Sequence, residues 1–110
     1  MNWQTELGLE FERAAGARAK KNEGQARVCA RRAAGIAIRE SLSRRGARSI
    51  SKSAYDLLNQ LKAEPQLPVD MRAIVDHLTL RVTEEFRLPV EADLIADARA
   101  LCKWLLPDWE

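Results

Sequence analysis

Along this chain, apolar residues recur at the three- and four-residue steps of an α-helix and never sustain the alternation of a strand. A first helix is predicted from about Trp3 to Lys21, with Trp3, Leu7, Phe11 and Ala14 on one stripe and Arg18 continuing the step. Gly8 and Gly16 weaken that helix and offer room for close helix contact. Asn22-Glu23-Gly24 breaks it with turn residues. A second helix is expected from about Gln25 to Arg45, on the stripe Ala26, Cys29, Ala30, Ala33, Ala37 and Leu42. Small residues there imply close packing, because little side chain separates the backbones. Arg44 and Arg45 followed by Gly46 form a stop signal: positive charge in the last turn, then glycine.

Residues 48–53 read as a loop in which Ser51 or Ser53 caps a short third helix, whose inner face is Ala54, Leu57, Leu58 and Leu61. Glu64-Pro65-Gln66-Leu67-Pro68 ends it. Pro68 and Asp70 suit the first turn of a fourth helix, expected from about Val69 to Glu85 with Ile74, Val75, Leu78 and Val82 inward. Leu88-Pro89 marks another break. The last helix is expected from about Glu91 to Leu106, with Leu94, Ile95, Ala98, Leu101, Cys102 and Leu105 inward and Pro107 as its stop. No repeat or low-complexity tract interrupts this order. The pattern therefore predicts an all-α chain: an up-and-down bundle of four helices with one additional short helix.

Composition agrees. The 110 residues suit a single domain, residues 1–110, and 46% hydrophobic with 31% charged residues is a globular balance. Cys29 and Cys102 fit no zinc or redox spacing and read as buried or half-buried free thiols. The N-terminus shows no secretory signal and no stretch is apolar enough to span a membrane, so a cytoplasmic location is expected, with no membrane partner. Trp3, Trp104 and Trp109 lie near the chain ends, where they are positioned to pack together.

Charge is divided unevenly. Residues 1–52 hold 12 Lys and Arg against 5 Asp and Glu (+7), whereas residues 53–110 hold 6 against 11 (−5). Either the first half meets an acidic partner, or the two halves face and neutralise each other. The basic residues concentrate on the second helix as Arg27, Arg31, Arg32, Arg39, Arg44 and Arg45, with Arg48 beyond it. Arg27 and Arg31 share one face; Arg32 and Arg39, two turns apart, share another. Arginine clamps phosphate through two parallel donors, so Arg27, Arg31, Arg32 and Arg39 are candidates for binding a nucleotide or an RNA backbone. No aromatic residue interleaves with them, which leaves base stacking unsupported. The bland alternative is a solvated face paired with the acidic half. Asp93 and Asp97 read as surface charge. No metal site, glycine-rich phosphate loop or nucleophile elbow is present in the sequence, and no cofactor is expected.

The segment Asn22 to Leu42, with its Asn-Glu-Gly break, paired Ala33-Ala34, Arg39 and Leu42, resembles the second helix of the HEPN domain family. Arg45-Gly46 followed by Ser53-Ala54-Tyr55-Asp56-Leu57-Leu58 is similar to that family's glycine, loop and short helix. Residues from Ala92-Asp93-Leu94 through Trp104-Leu105 resemble its terminal helix, so the likeness spans most of the chain. Gly35 departs from the pattern, standing where many members carry glutamate beside the basic position matched by Arg39. The resemblance implies a HEPN-like bundle, a homodimer, and an accessory module for nucleotides or RNA beside a nucleotidyltransferase or an antitoxin partner.

Arg72-Ala73-Ile74-Val75-Asp76-His77 also matches the family's arginine–four residues–histidine pattern. In RNA-cleaving members this pattern implies metal-independent phosphodiester cleavage. His77 would move the proton and Arg72 would hold the phosphate, with two copies meeting across a dimer. Residues five apart on a helix lie about 140° apart around its axis, so the two do not share a face. Against this stands a half-buried His77 hydrogen-bonded to Asp76, Glu84 or a neighbouring helix. Three readings stay open: a nucleotide- or RNA-binding module, a ribonuclease using Arg72 and His77, and a structural oligomerisation protein. Apolar Val28, Ile36, Ile38 and Phe86 lie off the stripes, as if one helix face exceeded what a monomer covers, unless the five helices hide them.

Overall fold

Helix caps divide the chain where the apolar pattern does. The computed structural model describes residues 2–47, 53–80 and 92–109. Among these it contains five helices and no strand: α1 (Trp3–Ala19), α2 (Glu23–Arg44), α3 (Ala54–Lys62), α4 (Val69–Thr79) and α5 (Leu94–Leu105).

Asn2 opens α1 by accepting from the Thr5 amide at 2.8 Å. At its other end Lys21 adopts a left-handed φ of 62°. The Asn22 amide then bonds back to the Ala17 carbonyl at 2.8 Å and Lys21 N to Arg18 O at 2.9 Å, which closes the helix. Asn22 immediately caps the next helix, its side chain accepting from Gln25 N at 3.2 Å. For that reason α2 starts at Glu23 and takes Gly24 into its first turn. The α2 end repeats the same closure with Gly46 at φ 71°, as the stop signal requires. Ser53, not Ser51, is the cap observed for α3 (Ser51 lies outside the described residues).

The fourth helix is shorter than its pattern. It stops at Thr79, and Leu80 is extended (φ −65°, ψ 142°). The Thr79 hydroxyl bonds to the Val75 and Asp76 carbonyls at 3.0 and 3.1 Å. The Arg31 guanidinium takes the Leu78 and Leu80 carbonyls, giving this end partners that a continued helix would not need. The expected continuation to Glu85 with Val82, the Leu88-Pro89 break and the Glu91 start of the last helix lie outside the described residues. Asp93 caps α5, accepting from Ala96 N at 3.2 Å.

α2 is the central element, packed against α1, α3 and α5, while α4 packs on α3 and α5. All five helices contribute to one hydrophobic cluster, among them Leu7, Phe11, Ala33, Leu57, Val75 and Leu101. Each fully buried leucine contributes about 1.5–3 kcal/mol. Cys29 and Cys102 are buried free thiols, and burial pushes the Cys102 thiol up to about 12. Ile36 and Ile38 are covered within the chain, so they are not a leftover face; Val28 is exposed, and Phe86 is outside the described residues.

Two packing expectations need correction. Cβ atoms built on Gly8 and Gly16 would meet nothing within 4 Å, so neither marks a close helix contact; Gly35 does. The three tryptophans do not cluster. Trp109 is buried and stacks on Phe11 (centroids 5.4 Å apart), Trp3 lies under Arg44, and Trp104 is exposed. No described helix is long and apolar enough to cross a membrane.

Candidate anion-binding site

Gly35 brings the start of α3 against the middle of α2. A Cβ on Gly35 would sit 3.0 Å from Ala54 Cβ and 3.1 Å from Ala54 Cα, inside the ~3.5–4.0 Å at which carbons pack. Beside this contact opens a cavity of about 480 Å³, within the ~300–1,000 Å³ typical of ligand sites. Arg31, Arg32 and Arg39 of α2 line it, together with Ser53, Ala54 and Tyr55 at the start of α3 and Glu10 of α1.

Arg32 and Arg39 are two turns apart on α2, about 10.5 Å along its axis. Neither has a hydrogen-bond or ion-pair partner among the described residues. The amides of the first turn of α3 add the positive end of a helix dipole to the same wall. Ser53 Oγ already takes one of those amides, that of Asp56, at 3.4 Å. Val28 and Ile36 give the cavity an apolar side.

The other candidate arginines are placed differently. Arg31 lines the cavity but also closes α4, its Nε donating to Leu78 O at 2.8 Å and its Nη2 to Leu80 O at 2.9 Å. Arg27 is not part of the lining. The Glu23 carboxyl is held below its ordinary value chiefly by its Arg18 hydrogen bonds, against opposing burial, with a smaller contribution from Arg27. Arg44 is bound elsewhere, its Nη1 and Nη2 donating to Asp108 at 2.7 and 3.0 Å and its Nε to Glu40 at 2.9 Å. Arg48 lies outside the described residues.

Arg72 and His77 take partners on different neighbours. Arg72 donates from Nη1 to Lys62 O at 2.8 Å and from Nη2 to Glu64 O at 3.0 Å, capping the C-terminal end of α3. His77 Nδ1 lies 3.0 Å from Asp97 Oδ2 across the α4–α5 contact. Asp97 is therefore a half-buried partner of His77 and not surface charge, whereas Asp93 is exposed as expected, while also capping α5 and pairing with Arg18.

Glu10 is a further cavity residue that the basic run on α2 does not point to. It is 6% exposed. Oε1 accepts from Arg13 Nη1 at 2.8 Å, while the buried Oε2 has no hydrogen-bond partner. An unsatisfied buried acceptor of this kind costs about 1–3 kcal/mol. Its signal was in the sequence: Leu7, Glu10, Phe11 and Ala14 are one helical stripe, so a carboxylate stands among inward positions. Ser53 was legible as the α3 cap, but nothing local marked Ser53 or Tyr55 as lining a cavity beside α2; the close Gly35–Ala54 approach brings them there.

Compared with known family models, with curated proteins and with solved structures, the chain matches none.

Proposed function

We propose that the chain is a HEPN-like accessory module that binds nucleotides or RNA by their phosphates, in the groove between α2 and α3. The observation that carries this reading is the pair Arg32 and Arg39, which face an open cavity without a carboxylate partner among the described residues. Two arginines without a carboxylate partner among the described residues line one cavity together with the first residues of α3, which supports an anion as its occupant. The order of a long α1 and α2, a glycine stop at Gly46 and a short α3 supports the bundle resemblance. The reading includes a homodimer, and beside it a nucleotidyltransferase or antitoxin partner. Exposed Val28, Tyr55 and Trp104 support an interface of some kind. Sedimentation tests the dimer directly, at twice the 12.4 kDa of one chain.

The binding test is titration with a single-stranded oligoribonucleotide and with AMP at rising salt. Two phosphate contacts on the oligonucleotide give a slope of about −1.4 in log K against log salt. Binding that ignores salt, or no binding at all, favours the purely structural oligomerisation reading instead.

One observation supports the ribonuclease alternative: the carboxylate of Asp97 orients the His77 imidazole, as proton-transfer histidines require. Arg72, committed to two carbonyls, would have to leave them to hold a phosphate. RNA cleavage lost in His77→Ala is the expected result of that alternative; purified protein that leaves RNA intact sinks it.

A further inference from the structure

The groove holds one group that phosphate binding does not need. A carboxylate repels phosphate, so Glu10 has no part in an anion clamp; it requires hydrogen-bond donors. One of its oxygens has Arg13 and the other, buried, has no partner. The nearby guanidinium of Arg31 directs Nε and Nη2 to the Leu78 and Leu80 carbonyls. Arg32 and Arg39 line the same cavity without taking the carboxylate as a partner. An acceptor left open beside a phosphate clamp calls for a ligand that carries an anion and a donor a few bonds apart.

We propose that the groove binds a ribonucleoside phosphate, with Arg32, Arg39 and the first turn of α3 on the phosphate and Glu10 Oε2 accepting from a ribose hydroxyl. This rests on the groove being the phosphate site. A ribose hydroxyl lies close enough to its own phosphate for both to fit one cavity of about 480 Å³. Acidic side chains hold ribose hydroxyls elsewhere for the same reason: an ionised carboxylate accepts from both without a donor of its own. Val28 and Ile36 leave an apolar wall for the base. Glu10 lines the cavity, but its Oε2 is buried, so the contact requires a ligand hydroxyl that enters far enough to reach it.

Calorimetric titration of the whole chain with AMP, 2′,3′-dideoxy-AMP and pyrophosphate tests the assignment. AMP is expected to bind about tenfold tighter than the dideoxy nucleotide, the value of one charge-assisted hydrogen bond. In Glu10→Leu the ratio of the two affinities falls to about one. Equal affinity of the wild-type chain for the two nucleotides overturns the ribose contact, with no variant needed. So does a preference that survives Glu10→Leu. Pyrophosphate binding without any hydroxyl preference leaves the groove standing and removes Glu10 from it. Failure of all three probes to bind removes both.

Discussion

Two sets of arginines with the same chemistry behave in opposite ways. Arg18 and Arg44 sit in the last turns of α1 and α2 and are neutralised. Arg18 grips Glu23 through Nε and Nη2 at 2.8 and 2.9 Å and reaches Asp93 at 2.9 Å. Arg44 holds Asp108 and Glu40 and lies 5.2 Å over the Trp3 ring. Both guanidinium groups are pushed further up from an already high pKa, by the Glu23 and Asp108 hydrogen bonds respectively. Arg32 and Arg39, in the middle of α2, have no such partner among the described residues and face a cavity. The charge imbalance of the two halves thus has two meanings. Part of it joins the acidic second half to the first, through Arg18–Asp93 and Arg44–Asp108, and part of it, at Arg32 and Arg39, has no carboxylate partner among the described residues.

The strongest way to break this contrast is to exchange the two sets. Arg32→Ala with Arg39→Ala is expected to weaken AMP binding about a hundredfold, from two charge-assisted contacts of about 1.5 kcal/mol each. Arg18→Ala should leave AMP affinity within about twofold; calorimetry on both variants decides. Next in size is Gly35→Ala. Its Cβ meets both Cβ and Cα of Ala54, and backbone cannot swing aside. Destabilisation of about 1–3 kcal/mol is expected in urea denaturation, together with weaker AMP binding as α3 is pushed off.

A smaller effect belongs to the paired set. Arg18→Ala is expected to lose about 0.5–1 kcal/mol of stability, since the pairs are partly exposed and screened. The loss should depend on pH. Hydrogen bonds from Arg18 hold Glu23 below its ordinary range; at Asp93, burial works the other way but is outweighed by the Ala96 amide and Arg18. A carboxylate with a depressed folded pKa stabilises fully above the unfolded value and ceases to do so as pH falls through the folded one. Wild type and Arg18→Ala should therefore converge in stability below about pH 4; a gap that stays constant from pH 7 to pH 2 would contradict the pairing. The smallest effect is at the end of α1. Lys21→Gly relieves a left-handed lysine and should raise the melting free energy by up to about 1 kcal/mol, with AMP affinity untouched.

The helices were readable because each writes its core face at the helical period and its ends in capping residues. Asn22, Gly46 and Asp93 illustrate the second signal. The end of α4 was not readable, because Arg31 arrives from α2 to satisfy its last carbonyls, and no local pattern announces a partner 47 residues away. Much the same holds for the groove. The arginines were visible as a run, but which of them are neutralised depends on where Asp93 and Asp108 come to lie. The spacing of Arg72 to His77 carries no sign of its capping of α3, which follows from the turn between α3 and α4. Tyr55 became part of the site through the glycine contact alone.

Asn22 ends one helix with its amide and begins the next with its side chain. The α1–α2 hairpin therefore closes with almost no intervening chain, and short loops close fast and with little entropy loss. The Phe11–Trp109 stack is its opposite, joining α1 to the segment that follows α5. The expected order of assembly is the hairpin early and this stack last, so Asn22→Ala should slow refolding while Trp109→Leu mainly speeds unfolding.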